Sequence, residues 1–150
     1  DKIQFLISVN PGEPAKPIAK IASGGELSRI MLAIQTVLSA HDDLDTMIFD
    51  EVDTGISGSA AQKVGLKLHE VSRYAQVICI THLAQIACLA DYHLLIQKQV
   101  TENKTYTQVI PLSKEAQIKE IARMIGGQAI TPLLLQNAQE MIDSAKQLKS

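Results

Sequence analysis

The chain has 150 residues, the size of a single domain, so residues 1–150 are read as one unit. Fourteen Lys and Arg against sixteen Asp and Glu leave a formal charge of −2, which argues against a stand-alone nucleic-acid binder with the basic surface that phosphate contacts require. Hydrophobic residues at 46% and charged residues at 20% exclude a disordered chain; with 3% aromatic residues and no Trp, the core has to be built from Ile, Leu, Val, Met and Ala.

No apolar run reaches the ~18 residues that a membrane-spanning helix needs. The longest candidate, Ile30 to Ala40, is interrupted by Gln35, Thr36 and Ser39. A basic segment followed by an apolar one, the mark of a signal peptide, is not seen. Cys79 and Cys88 stand in apolar surroundings and are too few for a disulfide framework, so they read as buried free thiols of a reducing cytosol. The chain opens at Asp1 inside a strand-like pattern, as a piece of something longer would.

In chain order, Ile3, Phe5, Ile7 and Val9 alternate with other residues and predict a half-buried strand. Asn10 to Lys20, with Pro11, Gly12, Pro14 and Pro17, predicts a loop. Ser23 followed by Glu26 forms a capping box that opens a helix running to about Ala40. Its apolar face would carry Leu27, Ile30, Met31, Ile34, Val37 and Leu38. His41 to Asp45 is a short acidic turn. Thr46 to Phe49 is an apolar run suited to a fully buried parallel strand, ending at Asp50 and Glu51. Gly55 and Gly58 punctuate a loop, Ser59 to Tyr74 is a second amphipathic helix, and Gln76 to Ile80 is another buried strand stopped at Thr81 and His82. Leu83 to Ala90 is a short helix. Tyr92 to Val100 and Thr105 to Leu112 form a hairpin around Glu102, Asn103 and Lys104. Lys114 to Ile125 is a helix closed by Gly126 and Gly127, and Thr131-Pro132 caps and starts the last helix. The alternation predicts an α/β fold: a mainly parallel sheet flanked by helices, with a peripheral β-hairpin and C-terminal helices. Polar and acidic residues gather at the C-terminal strand ends, where such sheets bind ligands.

Three groups there can carry chemistry. Ser23, Gly24 and Gly25 precede a helix, where backbone amides and the helix dipole favour a phosphate, although an ordinary capped helix accounts for them taken alone. Asp50 and Glu51 are adjacent acids whose side chains should point opposite ways at a strand end. One can hold Mg²⁺, usually through water, while the other orients an attacking water for phosphoryl transfer. His82, just beyond the second apolar strand, can donate to a phosphate oxygen. His41, His69 and His93 lack such placement and read as structural or surface residues. No His or Cys pair has zinc-like spacing with further ligands nearby.

In one order along the chain, these residues carry a family resemblance. Ala22-Ser23-Gly24-Gly25-Glu26-Leu27-Ser28-Arg29 resembles the signature motif of ABC-type ATPases in their structural-maintenance-of-chromosomes (SMC) form. Thr46 to Glu51 resembles a Walker B strand with its catalytic glutamate, Val52 to Gly58 a D-loop, and Thr81-His82-Leu83 a switch-histidine loop. The stretches Ser23 to Ala33 and Phe49 to Gly58, and Thr81-His82-Leu83 with Gln85, Ala90-Asp91 and His93, are most similar to the RecN family, bacterial SMC-like ATPases of DNA double-strand-break repair. The likeness runs from about residue 4 to the last helix.

The resemblance implies the C-terminal lobe of a P-loop NTPase head, with ATP and Mg²⁺ as cofactors. Two heads would sandwich two ATP molecules. Ser23, Gly24 and Gly25 would touch the γ-phosphate bound to the second head, and Asp50 would hold Mg²⁺ indirectly. Glu51 would position water and His82 would sense the γ-phosphate, while Asp53 and Ser57 would lie on the facing loop that couples the two sites. The implied partners are the P-loop lobe of the same protein, a second head in a homodimer, and DNA through the full-length protein, in the cytoplasm at the nucleoid and with no membrane. Two departures stand out. Ser57 occupies the position of the usual D-loop aspartate, and no Gly-x-x-x-x-Gly-Lys-Ser/Thr occurs, so this chain alone is expected to be inactive. The rival readings are a non-catalytic, nucleotide-gated dimerisation module and the equivalent lobe of another SMC-family ATPase. Glu51 favours the enzyme over the first, and Asp53 to Gly58 favours the repair family over the second.

Overall fold

The computed structural model describes residues 3–8, 11–18, 23–38, 44–101 and 104–149. Val9, Asn10, Lys20, Ala22, Ala40, His41, Glu102 and Asn103, on which expectations above fall, lie outside the described residues.

Two short strands, β1 (Leu6–Ile7) and β2 (Lys16–Pro17), pair antiparallel, Leu6 opposite Pro17. The second lies inside the segment expected to be loop only. Proline, lacking an N–H, is tolerated at such an edge position. Of the alternating residues expected to face inward, Ile7 is half-buried in β1, whereas Ile3 and Phe5, before it, are exposed.

Helix α1 (Gly24–Leu38) is followed by strand β3 (Thr46–Phe49), helix α2 (Gly58–Val71) and strand β4 (Gln76–Cys79). The two strands are parallel, with Phe49 opposite Cys79, so their C-terminal ends lie side by side. One core joins Leu32 of α1, Met47 and Phe49 of β3, Val52, and Ala61, Leu68 and Val71 of α2. The expected full burial of the strands holds only for one face of β3, and on the same face of β4 Val77 and Cys79 are half-buried. Met47 and Phe49 are buried, whereas Ile48, its partner Ile78, and Ile80 are exposed. Helix α1 departs from expectation in the same sense. Leu27, Met31, Ile34, Val37 and Leu38 are exposed, and the helix buries Gly25 and Leu32 instead. Apolar periodicity finds a face but does not say what lies against it.

The chain continues through α3 (Ala84–Ala87), the antiparallel hairpin β5 (Leu94–Thr101) and β6 (Lys104–Pro111), then α4 (Lys114–Gly126) and α5 (Pro132–Lys149). A second core joins α3, α4 and α5 through Cys88, Leu89, Ile121, Ala138, Ile142 and Ala145. Gly65 lets α2 approach closely, because a Cβ there would stand 2.5 Å from Leu89 Cδ1. The expected caps are present: Leu134 N–H donates to Thr131 Oγ1 at 3.2 Å, and Gly127, at φ 77°, closes α4. Among the described residues, parallel pairing is confined to β3 and β4; the other two strand pairs are antiparallel. Among the described residues, no helix is long and apolar enough to cross a membrane.

Candidate nucleotide site at the strand ends

The start of α1 is closed by the reciprocal box that its sequence predicted. Ser23 N–H donates to Glu26 Oε2 at 2.9 Å and Glu26 N–H reaches Ser23 Oγ at 3.4 Å. The Glu26 carboxylate is thus engaged by its own cap. The two glycines have a reason in packing that spacing alone did not reveal. A Cβ on Gly24 would lie 2.1 Å from Glu51 Oε2, and one on Gly25 would lie 2.8 Å from the Glu51 carbonyl oxygen and 2.9 Å from Thr54 Cβ. The loop after β3 rests directly on the helix start.

Two residues of the signature stretch that received no role hold that loop in place. Ser28 Oγ donates to the Asp50 carbonyl at 2.6 Å. Arg29 Nη1 donates to the carbonyls of Val52 at 3.2 Å and Thr54 at 2.7 Å. The available signal was two polar residues on a helix turn between Gly25 and Leu32, the residues that α1 buries.

Asp50 and Glu51 are both exposed. Asp50 Oδ1 accepts the Glu51 N–H at 2.8 Å. Strand alternation does not orient these acids, because β3 ends at Phe49. Glu51 has φ 57°, the one non-glycine in the left-handed region among the described residues. That conformation costs about 1–2 kcal/mol for an L-residue and is a recurrent mark of functional turns. It brings the Glu51 carboxylate against Gly24.

Asp53, which the resemblance puts on the loop facing a second head, is 3% exposed, and its side chain is hydrogen-bonded within its own chain. Its Oδ2 accepts from Thr81 Oγ1 at 2.6 Å and His82 N–H at 2.9 Å, and lies 3.1 Å from His82 Nδ1. Burial works to raise the carboxyl's pKa. Hydrogen bonds from Thr81 and His82, with the His82 charge, outweigh it and hold the group below the ordinary carboxylate value. The His82 side chain is 75% exposed at the same strand edge.

Ser57 is the residue not drawn into this cluster; it begins α2, with no side-chain cap bond. His69 is half-buried beside Ser72, its Nδ1 3.5 Å from Ser72 Oγ. His93 is half-buried, and burial lowers its pKa against a weaker raising effect from Glu120. Cys79 lies beneath the acids. Burial first, then the charges of Asp53 and Asp50, push its thiol up to about 12, which leaves it unreactive. Among the described residues no three His, Cys, Asp or Glu side chains are grouped to hold a metal. An exposed Asp50 at a strand end suits an ion that arrives with a nucleotide.

No family model matches the chain. It is similar to DNA repair protein RecN of Bacillus subtilis (strain 168), 51% identical over 150 residues, all of this chain and 26% of that protein. It is likewise 48% identical over 145 residues, 97% of the chain, to DNA repair protein RecN of Vibrio cholerae, and 42% identical over 146 residues to that of Streptomyces coelicolor. The chain belongs to the RecN family. It spans about a quarter of the length of these curated RecN relatives, 26% in each case. A solved structure from work on ATP-driven dimerization and DNA-stimulated activation of SMC ATPases superposes with a TM-score of 0.52 at 24% identity. It covers 83% of this chain and 81% of that one. The RecN chain therefore shares the fold of that chain from the SMC ATPase work.

Proposed function

We propose that this chain is the C-terminal lobe of an ATPase head, and that the full-length protein hydrolyses ATP in a head dimer to gate its engagement of DNA at double-strand breaks. The observation that carries this reading is the convergence of the signature-helix start, Asp50, Glu51 and His82 on one edge of the β3–β4 pair. Kinship with RecN proteins supports the repair role.

Each group has a distinct task. The amides at the start of α1, with Ser23, Gly24 and Gly25, would receive the γ-phosphate of an ATP carried by a second head. Glu51 would orient and deprotonate the attacking water, His82 would contact the terminal phosphate, and Ser57 would stand on the loop facing the second head. Asp50 would hold Mg²⁺ through water, and the ion would neutralise charge on the phosphates. A P-loop lobe would supply the cradle for the inner phosphates. The bare face of Ile48, Ile78 and Ile80 supports its presence, because parallel strands are normally covered on both sides. The protein would act in the cytoplasm, and the chain alone would not hydrolyse ATP.

The test uses the full-length protein. Glu51→Gln should lower turnover about 100-fold or more and accumulate an ATP-dependent dimer in sedimentation. Turnover at the parental rate would remove Glu51 from the base role. Ser23→Arg should block that dimer while leaving ATP binding intact, and loss of binding itself would place Ser23 within its own head's site.

A further inference from the structure

Asp53 is the one residue with a charged or polar side chain that is buried among those described. An enclosed carboxylate is costly unless its oxygens are satisfied. Here a single oxygen, Oδ2, meets three polar groups, all from the loop after β4: Thr81 Oγ1, the His82 amide and His82 Nδ1. Thr81 Oγ1 in turn accepts the Leu83 N–H at 3.0 Å, tying the far side of the same loop. The hydrogen bonds from Thr81 and the His82 amide fix where the histidine starts, and the carboxylate lies beside one edge of its ring. The ring nitrogen Nδ1 stands 3.1 Å from the carboxylate, an ion-pair distance at which the negative charge favours a proton on Nδ1.

We propose that Asp53 is the positioning residue for His82: its carboxylate holds the start of the loop and favours the proton on Nδ1, so that Nε2 is the ring atom offered to the terminal phosphoryl group of a nucleoside triphosphate, to which it donates once the ring is protonated. The part concerning phosphate rests on the ATPase reading; the place of the proton does not. Asp53 thus acts through His82 and within its own chain.

Two measurements test this. The first reads the ring directly: long-range ¹H–¹⁵N correlation spectra of this chain, at a pH where His82 is neutral and the amide spectrum is dispersed. The expected state is Nδ1 protonated and Nε2 bare. A folded chain with His82 protonated at Nε2 and bare at Nδ1 overturns the proposal. The second uses the full-length protein carrying Asp53→Asn, whose amide oxygen can still accept from Thr81 and the His82 amide and so spare the fold. The expected result is a kcat about 10–100-fold lower, with the KM for ATP changed less than about threefold, as for other residues that orient a working histidine. Unchanged kcat per folded molecule overturns the proposal. Absence of turnover in the unmodified protein would instead count against the ATPase reading, and the ring spectrum would still decide the role of Asp53.

Discussion

The two halves of the molecule are held together differently. The C-terminal helices α4 and α5 are closed by caps at Ser113 and Thr131 and by a turn at Gly127, and they meet over a core in which Ile121 and Ala138 have no exposure. Around β3 and β4 the loops are held by side chains reaching backbone carbonyls, Ser28 to Asp50 and Arg29 to Val52 and Thr54. The sheet they crown is covered on one face only. A scaffold that closes on itself stands beside a sheet that leaves the apolar face of Ile48, Ile78 and Ile80 open. Polar struts suit the second arrangement. They fix loop geometry without consuming the apolar surface that a further layer would need.

This contrast can be broken most forcefully from the scaffold side. Ile121→Ala removes a side chain with no exposure, and should cost about 2–5 kcal/mol of unfolding free energy by urea titration. A loss below about 1 kcal/mol would mean that the helical half is not the closed core described. Ser113→Ala deletes the oxygen that accepts the Ala116 N–H at 3.2 Å and should cost about 1 kcal/mol. At the strand ends, the pH dependence has a fixed sign. Asp53 titrates below its ordinary value of 3.8, so its contribution is fully present above that pH and is lost as acid carries it through the lower folded value. Asp53→Asn should therefore flatten the fall in the urea midpoint below about pH 4, and an unchanged slope would contradict the Asp53 network. The smallest expected effect is at the bare face. Ile48→Asn, at a position 67% exposed, should shift the stability of this chain by no more than about 0.5 kcal/mol. A large loss would show that Ile48 is covered within the chain itself.

Local rules were legible in the sequence and long-range ones were not. The capping box of Ser23 and Glu26, the cap at Thr131, the stop at Gly127 and the pairing of β5 with β6 each depend on a few neighbouring residues, so spacing sufficed. The placement of Asp50, Glu51 and His82 at adjacent strand ends was legible as well, because parallel strands carry their ends to one edge. Which face of α1 would be buried was not, since Leu27 and Met31 satisfy apolar periodicity as well as Leu32 does and only the neighbouring sheet decides between them. The inward turn of Asp53 escaped for the same reason: its partners Thr81 and His82 lie 28 and 29 residues away. Arg29 read as one more charge on a helix until the carbonyls of Val52 and Thr54 were placed beside it.

This chain is proposed to carry one part of an ATP-hydrolysing site whose remainder lies elsewhere in the full-length protein. Phosphate release from ATP, measured for the chain alone and for the full-length protein at equal concentration, tests that proposal most directly. Release is expected from the full-length protein and not from the chain. Release by the chain alone, or by neither, would contradict the proposal.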